Sequence, residues 1–190
     1  MSFESDRVFL RAALPELGDF VTSGDIYRPL RVPARSPSGL QVPQLSIGSL
    51  VLSQTRLQST AHSADQEKEL AELVQGIQTV RTEWRTNWGN KAAKEYASRL
   101  NLWQQYMREL RGDVRQQASY YANEARQRTI LQLLEGEQNN ERQAHEQEQM
   151  LMLDQILRGL TRPGPFVWEP EAAGGFPQDT FWFLYVTFQK

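Results

Sequence analysis

The residues that most often carry catalysis or bind metals are scarce in this 190-residue sequence. It contains two histidines, His62 and His145, and no cysteine. A histidine-based triad or a multi-histidine metal site therefore has too few members. Neither histidine follows a glutamate at the three-residue spacing of di-iron helical bundles, and the sequence has no GxxxxGK[ST] or GxGxxG loop. We expect no metal, no cofactor and no enzymatic activity.

Carboxylates and arginines are more numerous than histidines, and they could form a polar site. Glu95 and Arg99 are four residues apart, as are Glu124 and Arg128, so each pair can interact along one helix face. If the chain folds back between them, the two pairs meet, and the planar arginine fork suits bidentate contacts. The two interpretations are a partly buried network and ordinary exposed pairs worth about 0.5 kcal/mol or less each. The predicted polar cluster consists of Glu95, Arg99, Glu124, Arg126 and Arg128. A catalytic site made of carboxylates alone would use Glu95 with Glu124.

Positive charge is concentrated in the middle of the chain. Residues 80–130 contain ten Lys and Arg against five Asp and Glu, whereas residues 131–171 contain three against eight. Arginines among aromatic residues can bind nucleic acid, because cations contact phosphates and rings stack on bases. The candidate anion-binding residues are Arg108, Arg111 and Arg115. Aromatic rings at helical spacing are more often core, however, and a pI of about 5.8 is low for such a protein. Nucleic-acid binding is therefore the alternative interpretation.

A long helical segment must position these side chains. All nine prolines lie outside residues 64–158, so helix formation is unopposed there. Apolar residues recur within this segment at steps of three and four, which is typical of amphipathic helices. Gly112 followed by Asp113 predicts a turn, because glycine ends a helix readily and aspartate caps the next one. We predict a mainly α protein built on a long antiparallel helical hairpin, bundle-like or coiled-coil-like, over residues 61–160 with its turn near residues 111–113.

The amino-terminal residues 1–60 are rich in proline and predict an irregular segment with one or two short helices. Residues 45–58 fit both a helix and a strand, because Leu45 begins an apolar series at steps of three or four and another at steps of two. We favour a helix that packs on the hairpin. Ser63, with Gln66 three residues later, predicts a capping box at the start of the first long arm.

The carboxy-terminal residues 161–190 differ in character from the rest. Residues 166–168 and 180–188 are rich in aromatic and β-branched side chains, and Gly174, Gly175 and Pro177 lie between them. The pattern predicts a small β-hairpin.

The strongly polar residues 135–149 leave open whether this part of the second arm is an ordered helix. In the hairpin pairing they would face an apolar stretch of the first arm and leave it without cover. Exposed aromatic residues near the carboxy terminus would likewise need burial. The predicted interaction residues are Ile77, Val80, Trp84, Trp88, Phe181, Phe183 and Tyr185. They favour a non-catalytic interaction or scaffold protein, a homo-oligomer or the binder of a protein partner.

Composition and hydropathy indicate the class of protein and its expected cellular location. Hydrophobic residues make up 39% of the sequence and charged residues 23%, as in globular proteins. The sequence shows no signal-peptide pattern and no apolar run near the ~20 residues of a membrane span. We therefore expect a soluble cytoplasmic protein.

Overall fold

The computed structural model describes residues 3–31, 43–60, 62–138 and 144–189 and is mainly helical. The helices are α1 (Phe3–Ala13), α2 (Leu17–Thr22), α3 (Ile47–Gln58), α4 (Ala64–Glu83), α5 (Arg85–Gly112), α6 (Val114–Gln117), α7 (Tyr121–Leu134) and α8 (Ala144–Leu160). Short 3-10 turns cover Leu14–Glu16, Ala118–Tyr120, Pro170–Gly175 and Trp182–Leu184. Strands β1 (Thr161–Pro163) and β2 (Val186–Phe188) pair antiparallel. Within the described ranges, no helix is long and apolar enough to cross a membrane.

The predicted helix boundaries are confirmed where the side chains supply caps. Ser63 accepts a hydrogen bond from the backbone N–H of Gln66 at 3.4 Å, and the Gln66 side chain accepts one from the backbone N–H of Ser63 at 3.1 Å. This is the reciprocal capping box. α5 ends at Gly112, and Asp113 accepts from the Gln116 N–H at 3.0 Å to start α6. The break between the two arms therefore lies where the sequence predicts it.

The single long hairpin is not confirmed. The first arm is interrupted at Trp84, between α4 and α5, and the second arm is divided among α6, a 3-10 turn, α7 and α8. Both α7 and α8 pack against α5. Arg128 of α7 binds Asp154 of α8 at 2.9 Å. The described part of residues 135–149 is a turn followed by the start of α8 at residue 144, and residues 139–143 lie outside the described ranges.

The amino-terminal segment is more helical than predicted, and α3 is its main contribution to the core. Residues 47–58 form a helix, so the favoured interpretation is confirmed and the strand is wrong. α3 packs against α1, α5 and α7. Gly48 permits this close approach, because an added Cβ there would lie 2.2 Å from Cγ2 of Ile130 in α7. The predicted boundaries at residues 60 and 160 fall between α3 and α4 and between α8 and β1.

The carboxy-terminal sheet is smaller than predicted, and its first strand lies elsewhere. Thr161 pairs with Phe188 and Pro163 with Val186, so the strands are joined by a long connection instead of a tight turn. The aromatic residues of that connection pack on one another and on the helices. The Phe176 and Phe181 rings, for example, meet edge to face with centroids 5.2 Å apart. Aromatic richness here reflects burial, because β propensity mostly measures how a side chain packs.

Candidate functional site

The Glu95 carboxylate lies at the centre of the fold. Glu95 is 0% exposed. Its Oε1 accepts hydrogen bonds from Ser46 Oγ at 2.7 Å and Arg99 Nε at 2.6 Å, and its Oε2 accepts from the Gly48 N–H at 2.9 Å. Ser46 is also the N-cap of α3 and accepts from the Ser49 N–H at 3.1 Å. The carboxylate therefore meets the positive end of the α3 dipole and binds one of its terminal N–H groups.

Arg99 links this carboxylate to the neighbouring elements. Its Nη1 donates to Gln127 Oε1 of α7 at 2.6 Å, and its Nη2 donates to Ser46 Oγ at 3.3 Å. The guanidinium also lies 5.4 Å from the ring centroid of Tyr27. One arginine thus connects α5, the start of α3, α7 and the segment after α2. Because both charges are buried and hydrogen-bonded, the pair fits a structural role.

A second buried ion pair joins α1 to α3. Asp6 Oδ2 accepts from Arg56 Nε at 2.8 Å, and Asp6 Oδ1 accepts from Ser53 Oγ at 2.8 Å. Arg56 also binds Glu169 at 3.3 Å. Burial raises the pKa of Asp6 above its ordinary value, although Arg56 and Ser53 favour the charged carboxylate. The same arginine therefore ties the amino-terminal helix and the carboxy-terminal segment to α3.

The structure divides the predicted polar cluster among three places. Arg99, Glu124 and Arg126 line one cleft of about 380 Å³. Burial and the nearby charge of Arg99 lower the pKa of Arg126 to about 10. Burial, followed by the charge of Glu109, raises the pKa of Glu124.

Two members of that cluster do not face this cleft. Arg128 forms two hydrogen bonds to Asp154, at 3.0 and 2.9 Å, and lies over the Phe183 ring. Glu95 is enclosed by its three donors in the core. The two carboxylates that a carboxylate-only site would use, Glu95 and Glu124, are therefore in different surroundings, one buried and one beside a cleft.

The expectation that the apolar stretch of the first arm lacks cover is wrong for two of its residues. Ile77 is 4% exposed and Trp88 is 2% exposed. The polar segment after α7 itself contributes to this cover, because Glu137 accepts from Trp88 Nε1 at 2.8 Å and binds Arg81 at 3.0 Å. A glutamate thus satisfies the indole N–H that an apolar partner would leave unpaired.

The other predicted interaction residues differ in exposure. Phe181 and Phe183 are buried, Val80 and Tyr185 are half-buried, and Trp84 is 38% exposed. Among these seven residues, Trp84 is the most exposed.

The outer face of α8 carries two apolar side chains that are more exposed than Trp84. Leu151 is 62% exposed and Met152 is 60% exposed, whereas Met150, Leu153 and Leu157 of the same helix are buried. Sequence reasoning missed Leu151 and Met152 because they stand between the positions of the inward-facing apolar series. That offset from the series is itself the signal that could have found them.

The candidate anion-binding residues all lie at the junction of α5 and α6. Arg108, Arg111 and Arg115 are exposed there. Tyr120, five residues after Arg115, is exposed, whereas Trp103 is buried. The structure therefore provides exposed cations at the turn and an exposed tyrosine close to them in sequence.

Two further clefts contain arginine and tryptophan side chains. One of about 530 Å³ includes Arg56, Arg126 and Trp168 in its lining, and one of about 310 Å³ includes Arg158 and Trp182. Among the described residues, no group of three or more His, Asp or Glu side chains is arranged to hold a metal ion. Comparisons of the chain with protein-family models, curated proteins and solved structures give no match.

Proposed function

We propose that this chain is a non-catalytic interaction protein that associates with a second copy of itself through the outer face of α8. The observation that carries the proposal is the exposure of Leu151 at 62% and Met152 at 60% in the middle of that helix. Burying a leucine or methionine side chain is worth about 1.5–3 kcal/mol relative to leaving it in water. Two adjacent large apolar side chains therefore offer a driving force for association.

The neighbours of this pair suit a symmetric contact. Ala144, Glu148 and Gln155 are exposed and lie on the same face as Leu151, at steps of three and four. In an antiparallel pair of α8 helices, a twofold axis between residues 151 and 152 sets Leu151 of each copy against Met152 of the other. Glu148 then faces the neutral Gln155, so no like charges meet there. Such self-complementary surfaces are the usual basis of twofold dimers.

The interface would be small. A single helix face buries less than the roughly 1,600 Å² of a standard protein interface. Methionine is flexible and packs against irregular surfaces, which favours adaptable contacts over tight ones. We therefore expect a concentration-dependent dimer with a Kd of roughly micromolar magnitude.

The test is light scattering coupled to size-exclusion chromatography over a range of protein concentrations. The wild-type protein should shift from monomer to dimer as concentration rises, and Leu151→Glu should remain monomeric because it places a charge at the centre of the contact. Leu102→Glu is the matched control: it puts the same charge at another exposed leucine, on α5, and should dimerise as the wild type does. A wild-type protein that stays monomeric at millimolar concentration, or equal effects of both variants, would contradict the proposal.

The second candidate function is nucleic-acid binding at the junction of α5 and α6. It is favoured by the exposure of Arg108, Arg111 and Arg115 and of Tyr120 nearby. Cations that neutralise phosphates make binding weaken steeply with salt. Fluorescence anisotropy with a labelled single-stranded oligonucleotide should show such binding, and changing the three arginines to alanine should remove it. Lys94→Ala, at an exposed position of α5, should have little effect. Absence of salt-sensitive binding by the wild type would remove this alternative.

A further inference from the structure

A cleft of about 310 Å³ opens where the end of α8 meets the two-stranded sheet. Its lining residues are Arg158, Thr161, Arg162, Pro163, Gln178, Trp182, Tyr185 and Val186. The volume is at the lower end of the range for small-molecule sites. Its polar side chains are two guanidinium groups, one amide and two hydroxyls, and the hydroxyls of Thr161 and Tyr185 already donate to backbone carbonyls at 2.8 Å.

Arg158 is positioned in this cleft by an aromatic ring. Its guanidinium carbon lies 3.6 Å from the centroid of the Trp182 ring. Stacking occupies the face of the guanidinium, while its N–H groups point outward in the plane of the group. An arginine held in this way loses less conformational freedom when it binds an anion through two parallel hydrogen bonds.

Arg162 adds a second cation, four residues after Arg158. Among the residues that the structure describes, neither arginine forms an ion pair, and the lining contains no Asp or Glu. Asp179 is adjacent in sequence to the lining residue Gln178, and its Oδ1 accepts from the Thr180 N–H at 2.8 Å. Two cations thus share a concave surface whose lining holds no carboxylate.

The larger cleft of about 530 Å³ is a useful contrast. Its Arg56 binds Asp6 at 2.8 Å and Glu169 at 3.3 Å, and Glu169 is itself part of the lining. The charge of that arginine is already offset by carboxylates of this chain. An anion would compete with Glu169 in the larger cleft but with no lining carboxylate in the smaller one.

We propose that the cleft between the end of α8 and the sheet binds a phosphate monoester through Arg158 and Arg162. Two guanidinium groups match a doubly charged tetrahedral oxyanion, which offers several acceptor atoms, better than a singly charged carboxylate. Gln178 in the lining provides a further amide donor, and Trp182 acts as a positioning residue for Arg158. The α8 dimer contact is centred on Leu151 and Met152, which do not line this cleft, so the two proposals can be tested with separate variants.

The experiment is an NMR titration of the whole 190-residue chain that follows the Nε–H signals of the arginines. Inorganic phosphate, phosphoserine and acetate are the three probes, at one fixed ionic strength. Phosphate and phosphoserine should shift the Arg158 and Arg162 signals saturably, and acetate should bind at least about tenfold more weakly because it carries one charge. Tighter binding of phosphoserine than of phosphate would identify an organic phosphate as the ligand class. Equal binding would show that the phosphate group alone is recognised.

Four variants test the assignment. Arg158→Ala and Arg162→Ala should each reduce affinity by at least about tenfold, the size expected for losing hydrogen bonds to a charged group. Arg158→Lys keeps the charge but loses the planar fork, so its affinity should lie between those of the wild type and Arg158→Ala. Arg111→Ala removes an exposed arginine outside the cleft and should bind as the wild type does. No saturable shift with phosphate, or an equal loss in Arg111→Ala, would overturn the proposal.

Discussion

Two regions of this protein hold charged side chains in different surroundings. Around α3, Glu95 is bound by Arg99 at 2.6 Å and Asp6 by Arg56 at 2.8 Å, and all four residues are buried. On the outer side of α8, Arg158 stacks on Trp182 beside a cleft whose lining has no carboxylate. Leu151 is exposed on the same helix.

The charges around α3 are paired with one another, whereas the cleft beside α8 has no carboxylate in its lining. A buried ion pair contributes little net stability against an apolar replacement, but removal of one partner leaves an uncompensated buried charge. Exposed charges contribute little to stability. Substitutions near α3 should therefore change the free energy of unfolding, whereas substitutions on the outer side of α8 should change binding.

The largest expected effect is that of Glu95→Ala. It leaves Arg99 buried and removes the acceptor of the Gly48 N–H, so the free energy of unfolding should fall by about 3–5 kcal/mol. Urea denaturation measures this change. Glu83→Ala, at an exposed position near the end of α4, is the control and should change stability by about 0.5 kcal/mol or less. Similar effects of the two substitutions would remove the distinction between the regions.

Gly48→Ala should have the next largest effect. The added Cβ would lie 2.2 Å from Ile130 Cγ2 and 2.7 Å from Glu95 Oε1, so α3 must move away from α5 and α7. Overpacking of this kind lowers the free energy of unfolding by about 1–3 kcal/mol. Gly18→Ala in α2 meets nothing within 4 Å and should leave stability unchanged or raise it by up to about 1 kcal/mol. A tolerated Gly48→Ala would show that the close approach is not needed.

The pH dependence of stability tests the Asp6 environment. The pKa of Asp6 in the folded protein lies above its ordinary value of 3.8, because burial disfavours the charge. The folded state then binds this proton more tightly than the unfolded state, so stability falls as pH rises from 3.8 through the folded pKa. The slope is at most about 1.4 kcal/mol per pH unit. Asp6→Asn does not titrate, so the unfolding free energy of the wild type minus that of the variant should fall as pH rises above the ordinary Asp6 pKa of 3.8. A rising difference would show that Arg56 outweighs burial.

The smallest expected effect is that of Leu151→Ser on the monomer. Because Leu151 is exposed, the free energy of unfolding at low protein concentration should change by about 0.5 kcal/mol or less. Leu157→Ala, six residues along the same helix but buried, should cost about 2–5 kcal/mol. Denaturation curves of both variants check which face of α8 belongs to the core. A large loss for Leu151→Ser would place its side chain in the core.

Part of this fold was predictable because the relevant signals are local. The capping box of Ser63 with Gln66 and the cap of Asp113 on Gln116 each connect residues three positions apart. The Glu95–Arg99 pair is likewise an i,i+4 contact. Such contacts need only a helix to form, so spacing alone indicates them.

The candidate sites were less predictable because their partners are distant in sequence. Glu95 binds Ser46 and Gly48, which precede it by 49 and 47 residues. Arg128 binds Asp154, 26 residues later, instead of a residue of the predicted cluster. The strand predicted from the aromatic residues 166–168 was wrong, because these side chains fill space between helices and connections.

By itself, the sequence determined the helical character of the chain, the position of the helix break at Gly112 and the paired spacing of Glu95 and Arg99. It did so through proline placement, apolar periodicity and caps, which act over a few residues. Tertiary structure alone decided which charges are buried, which apolar residues of α8 face outward, and that Arg158 and Arg162 share a cleft with Trp182. Burial and pairing depend on which distant segments pack together, and the sequence does not state that in any local pattern.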